Sequence, residues 1–340
     1  MSIIEAQGLT KTYQNAVKEA GLAGAVKHFI KPVFRDINAV QNVNLTIEPG
    51  ETVAYVGPNG AGKSTTIKML TGILKPTGGT VRVNGLDPYR DRMENTKRMG
   101  VVFGQRTQLW WDIPVSESFT LLRDIYAIPA KRYRENLEWL SAMLGLADFM
   151  GSSARKLSLG QRMRADLALA FLHDPEVVFL DEPTIGLDVA VRERIREFLK
   201  KINRERGTTI LLTSHDLDDI RDVCGRLVVI DRGTVIYDGK LQELLDRCVR
   251  SRTMHLRLTS DGKDFARKLG THPDCEVRVA TESEVSIEFD RFALSAKDII
   301  NLANASGDVM DFRIDEPDIE VVIKNVYEGK LDIGSGGIAR

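Results

Sequence analysis

The chain of 340 residues predicts an α/β core followed by a smaller α+β domain. Three observations carry that expectation. Short apolar runs without alternation, Thr52–Val56, Val177–Leu180 and Ile210–Thr213, suit parallel strands buried on both faces. Leu137, Leu140, Leu144 and Leu146, with charges between them, mark helix within residues 131–149. In the last third, apolar residues instead alternate with polar ones at a period of two, the mark of half-buried strands.

Taken in chain order, Met1-Ser2-Ile3-Ile4-Glu5 lacks the charged start and long apolar core of a signal peptide. Residues 14–38 read as an amphipathic helix. Val17, Leu22, Val26, Phe29, Ile30, Val33 and Phe34 recur at helical spacing, with Lys18, Lys27, Lys31 and Arg35 supplying positive charge and Pro32 kinking or ending the helix. Such a face suits a bilayer surface or a membrane partner, and it equally suits packing on the chain's own domain. A strand then follows at Ala39–Leu45.

The run Gly57-Pro58-Asn59-Gly60-Ala61-Gly62-Lys63-Ser64 lies between the strand 52–56 and a helix-like stretch that begins near Ser64 and Thr65. In that context G-x-x-x-x-G-K-[ST] is a phosphate-binding loop. Small residues let backbone N–H groups turn inward around the β- and γ-phosphates, the helix start adds its positive end, and Lys63 adds a mobile charge. Ser64 would hold Mg²⁺ through its hydroxyl. A second run, Val177-Val178-Phe179-Leu180, ends in Asp181-Glu182, so a buried strand delivers two carboxylates at its C-terminal end. Asp181 would reach Mg²⁺ through its water shell, and Glu182 would orient the attacking water.

Further runs keep a fixed order around these two: Gly104-Gln105, Leu157-Ser158-Leu159-Gly160-Gln161, Gly186-Leu187-Asp188 and Ser214-His215-Asp216. With them the chain resembles the ATP-binding subunits of ABC transporters over roughly residues 1–240. The resemblance implies a P-loop NTPase core with an antiparallel β subdomain and a helical subdomain. It implies that Ser158, Gly160 and Gln161 form a signature loop that caps ATP bound to a second copy, so that two copies enclose two ATP molecules head to tail. It further implies that Gln105 joins the Mg²⁺ shell, Asp188 contacts the opposite phosphate loop, and His215 bonds the γ-phosphate and positions Glu182. Leu159 departs from the family's second glycine and puts a side chain where backbone nears phosphate. Tyr13 stands where the family stacks an aromatic ring on adenine, and Phe34 competes for that task. The helix expected over 14–38 is similar to an extra helix of polysaccharide exporter ATPases.

Composition agrees with an energy-coupling subunit. A formal net charge of −1 gives no reason to expect nucleic acid as a partner. No apolar stretch is long enough to span a bilayer, so the membrane part implied by the resemblance would be separate multispanning subunits, with this chain peripheral on the cytoplasmic face of the cell membrane. Cys224, Cys248 and Cys275 show neither a close pair nor metal spacing. Trp110 and Trp111 cannot both face one core on a regular helix. They either line the groove that receives a membrane subunit or pack inside the helical subdomain.

Beyond residue 245 the order is strand, helix, strand, strand, helix, strand, that of a small ferredoxin-like sandwich. Met254/Leu256/Leu258, Cys275/Val277/Val279, Val285/Ile287/Phe289 and Met310/Phe312/Ile314 supply the alternations, and Ser295 with Asp298 marks a capping box. A last helix is expected from Pro317, with Ile319, Val322, Ile323 and Val326 on one face. The expected domains are thus an ATP-binding domain over 1–245, an accessory domain over 246–330 and a flexible tail over 331–340. The expected function is ATP hydrolysis coupled to a membrane transporter of the exporter branch. An importer subunit, or an ATPase of the same family acting on a soluble macromolecule, is the alternative.

Overall fold

The computed structural model describes residues 2–16, 34–104, 106–214, 216–248, 251–259, 261–269, 274–306 and 309–315. The chain divides into two compact units, one ending at Leu241 and the other beginning at Gln242.

In the first unit, β3 (Thr52–Val56), β5 (Met99–Phe103), β6 (Val177–Asp181), β7 (Thr209–Thr213), β8 (Arg226–Asp231) and β9 (Thr234–Gly239) form one sheet in the order β5-β6-β7-β3-β8-β9. All neighbours are parallel except β8 and β9. The unbroken apolar run of β6 follows from burial on both faces. Val178 and Leu180 enter a core shared with helices, whereas Val177 and Phe179 enter a second core on the other side.

That second core also takes Ile67, Met69 and Leu70 of α1 (Lys63–Leu70) and one face of a three-stranded antiparallel sheet. The sheet joins β2 (Phe34–Ile47), β1 (Ile4–Ala16) and β4 (Gly78–Val83) in that order. A short helix, α2 (Arg92–Thr96), leads into β5. The first core is covered by α3 (Val115–Ile125), α4 (Ala130–Leu144) and α5 (Leu159–Phe171), with α6 (Val189–Arg206) beside them. Gly145 ends α4 in the left-handed conformation, φ 61°, which a residue without Cβ adopts at no steric cost.

One expectation is overturned here. The helix proposed for 14–38 is not helical at its ends, because β1 and β2 continue their ladder there, pairing Tyr13 with Ile37, Gln14 with Asp36 and Ala16 with Phe34. Phe34 and Ile37 remain half exposed. Backbone pairing therefore extends the ribbon beyond the core, and burial, which helical spacing reports, is not what orders it. Residues 17–33, with most of the proposed apolar stripe, lie outside the described residues.

A helix, α8 (Leu241–Cys248), begins at the last residue of the first unit, and the second unit continues with β10 (Ser251–Leu258), α9 (Gly262–Leu269), β11 (Cys275–Val279), β12 (Glu284–Asp290), α10 (Ala296–Ser306) and β13 (Val309–Asp315). The strands form an antiparallel sheet ordered β11-β12-β10-β13, the ferredoxin-like arrangement. Met254, Leu256, Leu258, Val285, Ile287 and Phe289 pack one sheet face on Phe265, Ile299 and Ala303. Ser295 and Asp298 form the expected box, the Asp298 N–H donating to Ser295 Oγ at 3.2 Å and the Ser295 N–H to Asp298 Oδ2 at 2.9 Å. The helix expected from Pro317 and the tail lie outside the described residues.

Candidate nucleotide site

The loop between β3 and α1 can close only because it is built of glycine at its tightest points. A Cβ on Gly57 would lie 2.3 Å from the Ile230 carbonyl oxygen, and one on Gly62, where φ is 109°, 2.5 Å from that of Ala39. Gly62 is also the N-cap of α1 and offers its first N–H groups no side-chain acceptor. These groups are the ordinary binding site of an anion at a helix start. Lys63 is buried, and its ammonium donates to the carbonyls of Gly57 at 2.5 Å and Pro58 at 3.2 Å. Burial lowers its pKa, and the carboxylates of Glu182 and Asp181 oppose that shift. A cation is thus held at the mouth of an uncapped helix within reach of two acids.

The acids are positioned by neighbouring strands. Thr213 Oγ1 at the end of β7 donates to Asp181 Oδ1 at 2.7 Å, and the Gly104 N–H at the end of β5 donates to the Asp181 carbonyl at 2.8 Å. The chain turns sharply at Glu182, whose φ is 55° and whose N–H donates to the carbonyl and hydroxyl of Thr213 at 3.1 and 3.0 Å. A non-glycine residue pays ~1 kcal/mol for this conformation, and such strain gathers where a side chain must be aimed.

A cleft of ≈ 390 Å³ joins Ser64, Asp181, Glu182 and Gly104, with Lys68 and Arg106 on its wall. The last two were absent from the sequence-based site. Lys68 follows Ser64 by four residues on α1, so helical spacing alone brings it to the same face. Arg106 carried only its place next to Gln105 as a signal. The fit to a nucleoside triphosphate and a hard divalent cation is good. Among the described residues no group of three or more His, Cys, Asp or Glu could hold a metal unaided. Magnesium instead takes one or two protein oxygens together with phosphate, and Ser64 and Asp181 offer that set.

His215 and Gln105 lie outside the described residues, but the flanks of His215 are well anchored. Buried Asp219 accepts from Ser214 Oγ at 2.9 Å and from Thr184 Oγ1, and burial raises its pKa. Asp216 caps α7 (Leu217–Val223) and pairs with Arg192.

The signature residues do not line this cleft. Ser158 is exposed and caps α5 in a capping box, its Oγ accepting from the Gln161 N–H at 3.2 Å and its N–H donating to Gln161 Oε1 at 2.9 Å. Leu159 leans on its own chain, its Cδ2 lying 3.3 Å from where a Gly186 Cβ would be. Gly160 is close enough to Val191 that a Cβ there would come within 3.3 Å of Val191 Cγ2. Asp188 caps α6, accepting from the Val191 N–H at 2.9 Å. Tyr13 is half exposed, with the Lys11 ammonium 5.4 Å from its ring centre, on the ladder whose Ala39 abuts Gly62. Trp110 and Trp111 are both half exposed, and the Arg162 guanidinium lies 4.7 Å from the Trp111 ring centre.

Comparison with known proteins agrees with this geometry. Residues 40–185 match the family described as ABC transporter. The chain is 35% identical to the ABC transporter ATP-binding protein NatA of Bacillus subtilis, over 62% of this chain and 85% of that one. It is 31% identical to the methionine import ATP-binding protein MetN 2 of Enterococcus faecalis, over 62% of each chain. Similarity to the linearmycin resistance ATP-binding protein LnrL of Bacillus subtilis, 28% identical, spans 87% of this chain and 96% of that one. Among solved structures, the dimeric post-hydrolysis state of the ATP-binding cassette MJ0796 with ADP and Pi superposes with a TM-score of 0.58 at 30% identity, over 70% of this chain and 98% of that one.

Proposed function

Because the chain belongs to the family of ABC transporter ATP-binding proteins and is an ATPase, we propose that it powers an exporter as a head-to-tail pair bound to separate membrane subunits. The observation that carries the pairing is that the cleft holding Glu182 lacks the signature residues, of which Ser158 stands exposed elsewhere on the same unit. Ser158, Gly160 and Gln161 of one copy therefore complete the cleft of the other, with Asp188 beside the opposite phosphate loop. The dimeric MJ0796 cassette supports this reading. Export is supported by the similarity to LnrL, a resistance ATP-binding protein, whose 87% coverage of this chain is more than the first unit alone supplies.

In this mechanism Gly57 to Thr65 wrap the phosphates, Lys63 exchanges its two carbonyl partners for phosphate oxygens, and Tyr13 stacks on adenine. Magnesium, when bound by Ser64, Asp181 and Gln105, neutralises charge on the phosphate oxygens. Glu182, aimed by its strained turn, accepts the proton of the attacking water, and His215 holds the γ-phosphate. Hydrolysis and phosphate release then separate the copies and move the membrane subunits. Trp110 and Trp111 receive a helix of such a subunit. No helix among the described residues is long and apolar enough to cross a membrane. In the proposed assembly the chain is a peripheral subunit on the cytoplasmic face, held there by its membrane partners.

Glu182→Gln tests the core of this reading. The variant should bind ATP, accumulate as a pair and hydrolyse at least ~100-fold more slowly. Parental turnover would remove Glu182 from the role of base.

A further inference from the structure

The sheet of the second unit ends at β13, and that edge leaves apolar side chains uncovered among the described residues. Phe312 stands opposite Leu256, which packs on the core that Phe265 and Ile299 complete, so both point to the same face of the sheet. Leu256 is 2% exposed, but Phe312 is 50% and Met310 65% exposed. The other edge differs. Cys275 and Val277 of β11 pack on the core, and Glu276 and Arg278 bind each other at 3.1 Å.

The backbone of the β13 edge is open as well. The Leu258 N–H donates to the Ser283 carbonyl at 2.8 Å, on the β12 side. Backbone groups alternate sides along a strand, so His255 and Arg257 turn theirs to β13, where Arg313 and Asp311 stand opposite. Phe312, between those two, directs its N–H and carbonyl away from β10. Its N–H donates to Asp311 Oδ1 at 2.8 Å, a carboxylate in the place of a neighbouring strand.

We propose that this edge seats a second copy of the chain, whose β13 adds antiparallel to the first about a two-fold axis at Phe312. The sequence around that axis is self-complementary. Asp311 of each strand stands opposite Arg313 of the other, while Phe312 meets Phe312 and exchanges N–H···O=C bonds with it in both directions. Moving the axis one residue either way would set Asp311 opposite Asp311 or Arg313 opposite Arg313, which like charges disfavour. The junction needs no nucleotide and stands apart from the pairing at the clefts.

The test uses the full chain without nucleotide. The parent should sediment as a pair, and Phe312→Asp, which sets two carboxylates opposite each other, should raise the dissociation constant at least about tenfold. Arg313→Asp should weaken pairing in the same sense, and adding Asp311→Arg to it should restore pairing, because the opposed charges are then exchanged. Phe312→Cys should form a disulfide between copies on mild oxidation, since opposed Cα atoms in such a pair lie about 5.5 Å apart. Met310→Cys, more than about 13 Å from its twin, should not, and the parent controls for its own three cysteines. A parent that stays single overturns the proposal, and if deleting residues 316–340 then allows pairing, the chain's own end is the occupant. Parental pairing by folded Phe312→Asp also overturns it. So does cross-linking of Met310→Cys as readily as Phe312→Cys, and that comparison decides where Phe312→Asp fails to fold. ATP-driven pairing of Glu182→Gln, read in the Phe312→Asp background, reports the clefts alone, so the two junctions fail separately.

Discussion

Lys63 illustrates how a side chain is prepared for a ligand. Burial disfavours its charge, two backbone carbonyls and two nearby carboxylates favour it, and a phosphate would satisfy the same donors. Lys63→Ala should weaken ATP binding by at least about tenfold in calorimetry, and an unchanged affinity would exclude Lys63 from phosphate binding. His173 is the opposite case, a base kept neutral. Its ring stacks on Tyr126 at 4.1 Å between centroids, its Nε2 lies 3.0 Å from the Met99 carbonyl, and burial lowers its pKa from 6.5 to about 4. Above pH 6.5 the ring is neutral in both folded and unfolded chains, so its full contribution to stability is present. As pH falls from 6.5 towards 4, the unfolded chain takes up a proton that the folded chain refuses, and stability drops by up to ~1.4 kcal/mol per pH unit. Asp166, whose pKa burial pushes up to about 6, acts in the other sense, because its protonation on acidification relieves a buried charge. Melting temperatures of parent and His173→Gln between pH 7.5 and 4.5 should therefore converge on acidification. Parallel curves would show that His173 does not titrate against the fold.

At the scale of elements, the phosphate loop was legible because its chemistry is local. Each glycine answers a contact or a dihedral angle, and the sequence pattern records both. Gly62→Ala makes the point testable: its Cβ would need to share space with the Ala39 carbonyl in a backbone conformation that disfavours side chains. The expected result is loss of ATP binding with a melting temperature several degrees lower, roughly 2–4 kcal/mol of destabilisation. An Ala variant that binds ATP like the parent would mean that β2 does not press on the loop. Strand β6 and the alternating strands β10 and β12 were equally readable, since burial writes itself into hydrophobic period. The ends of the segment 14–38 were not. Their order comes from the backbone ladder between β1 and β2, where Tyr13 faces Ile37 on half-exposed strands, and a ladder leaves no hydrophobic period to read. Asp166 was missed for a related reason. Its partners Thr107 and Gln108 are 59 and 58 residues away, and nothing in α5 itself announces them.

At the scale of the whole molecule, the separation of the cleft from Ser158 makes the proposed sharing of sites between copies testable. If each site takes its phosphate loop from one copy and its signature loop from the other, then Lys63→Ala and Ser158→Ala homodimers are each impaired at both sites. Mixed, they form heterodimers in which one site receives an intact Lys63 and an intact Ser158, while the other receives both substitutions. With random pairing of equal amounts, half of the pairs are mixed and each mixed pair owns one good site, so turnover should recover to about a quarter of the parental rate. Ser158 also caps α5, so Ser158→Ala should lose ~1 kcal/mol of helix stability, and melting temperatures must confirm that the mixed chains are folded. The measurement is steady-state ATP hydrolysis against mixing ratio. A bell-shaped curve peaking at equal amounts fits shared sites, because only mixed pairs contribute. A straight line between the two pure variants would mean that each copy carries a complete site, and the exposed Ser158 would then need another explanation than a partner's phosphate.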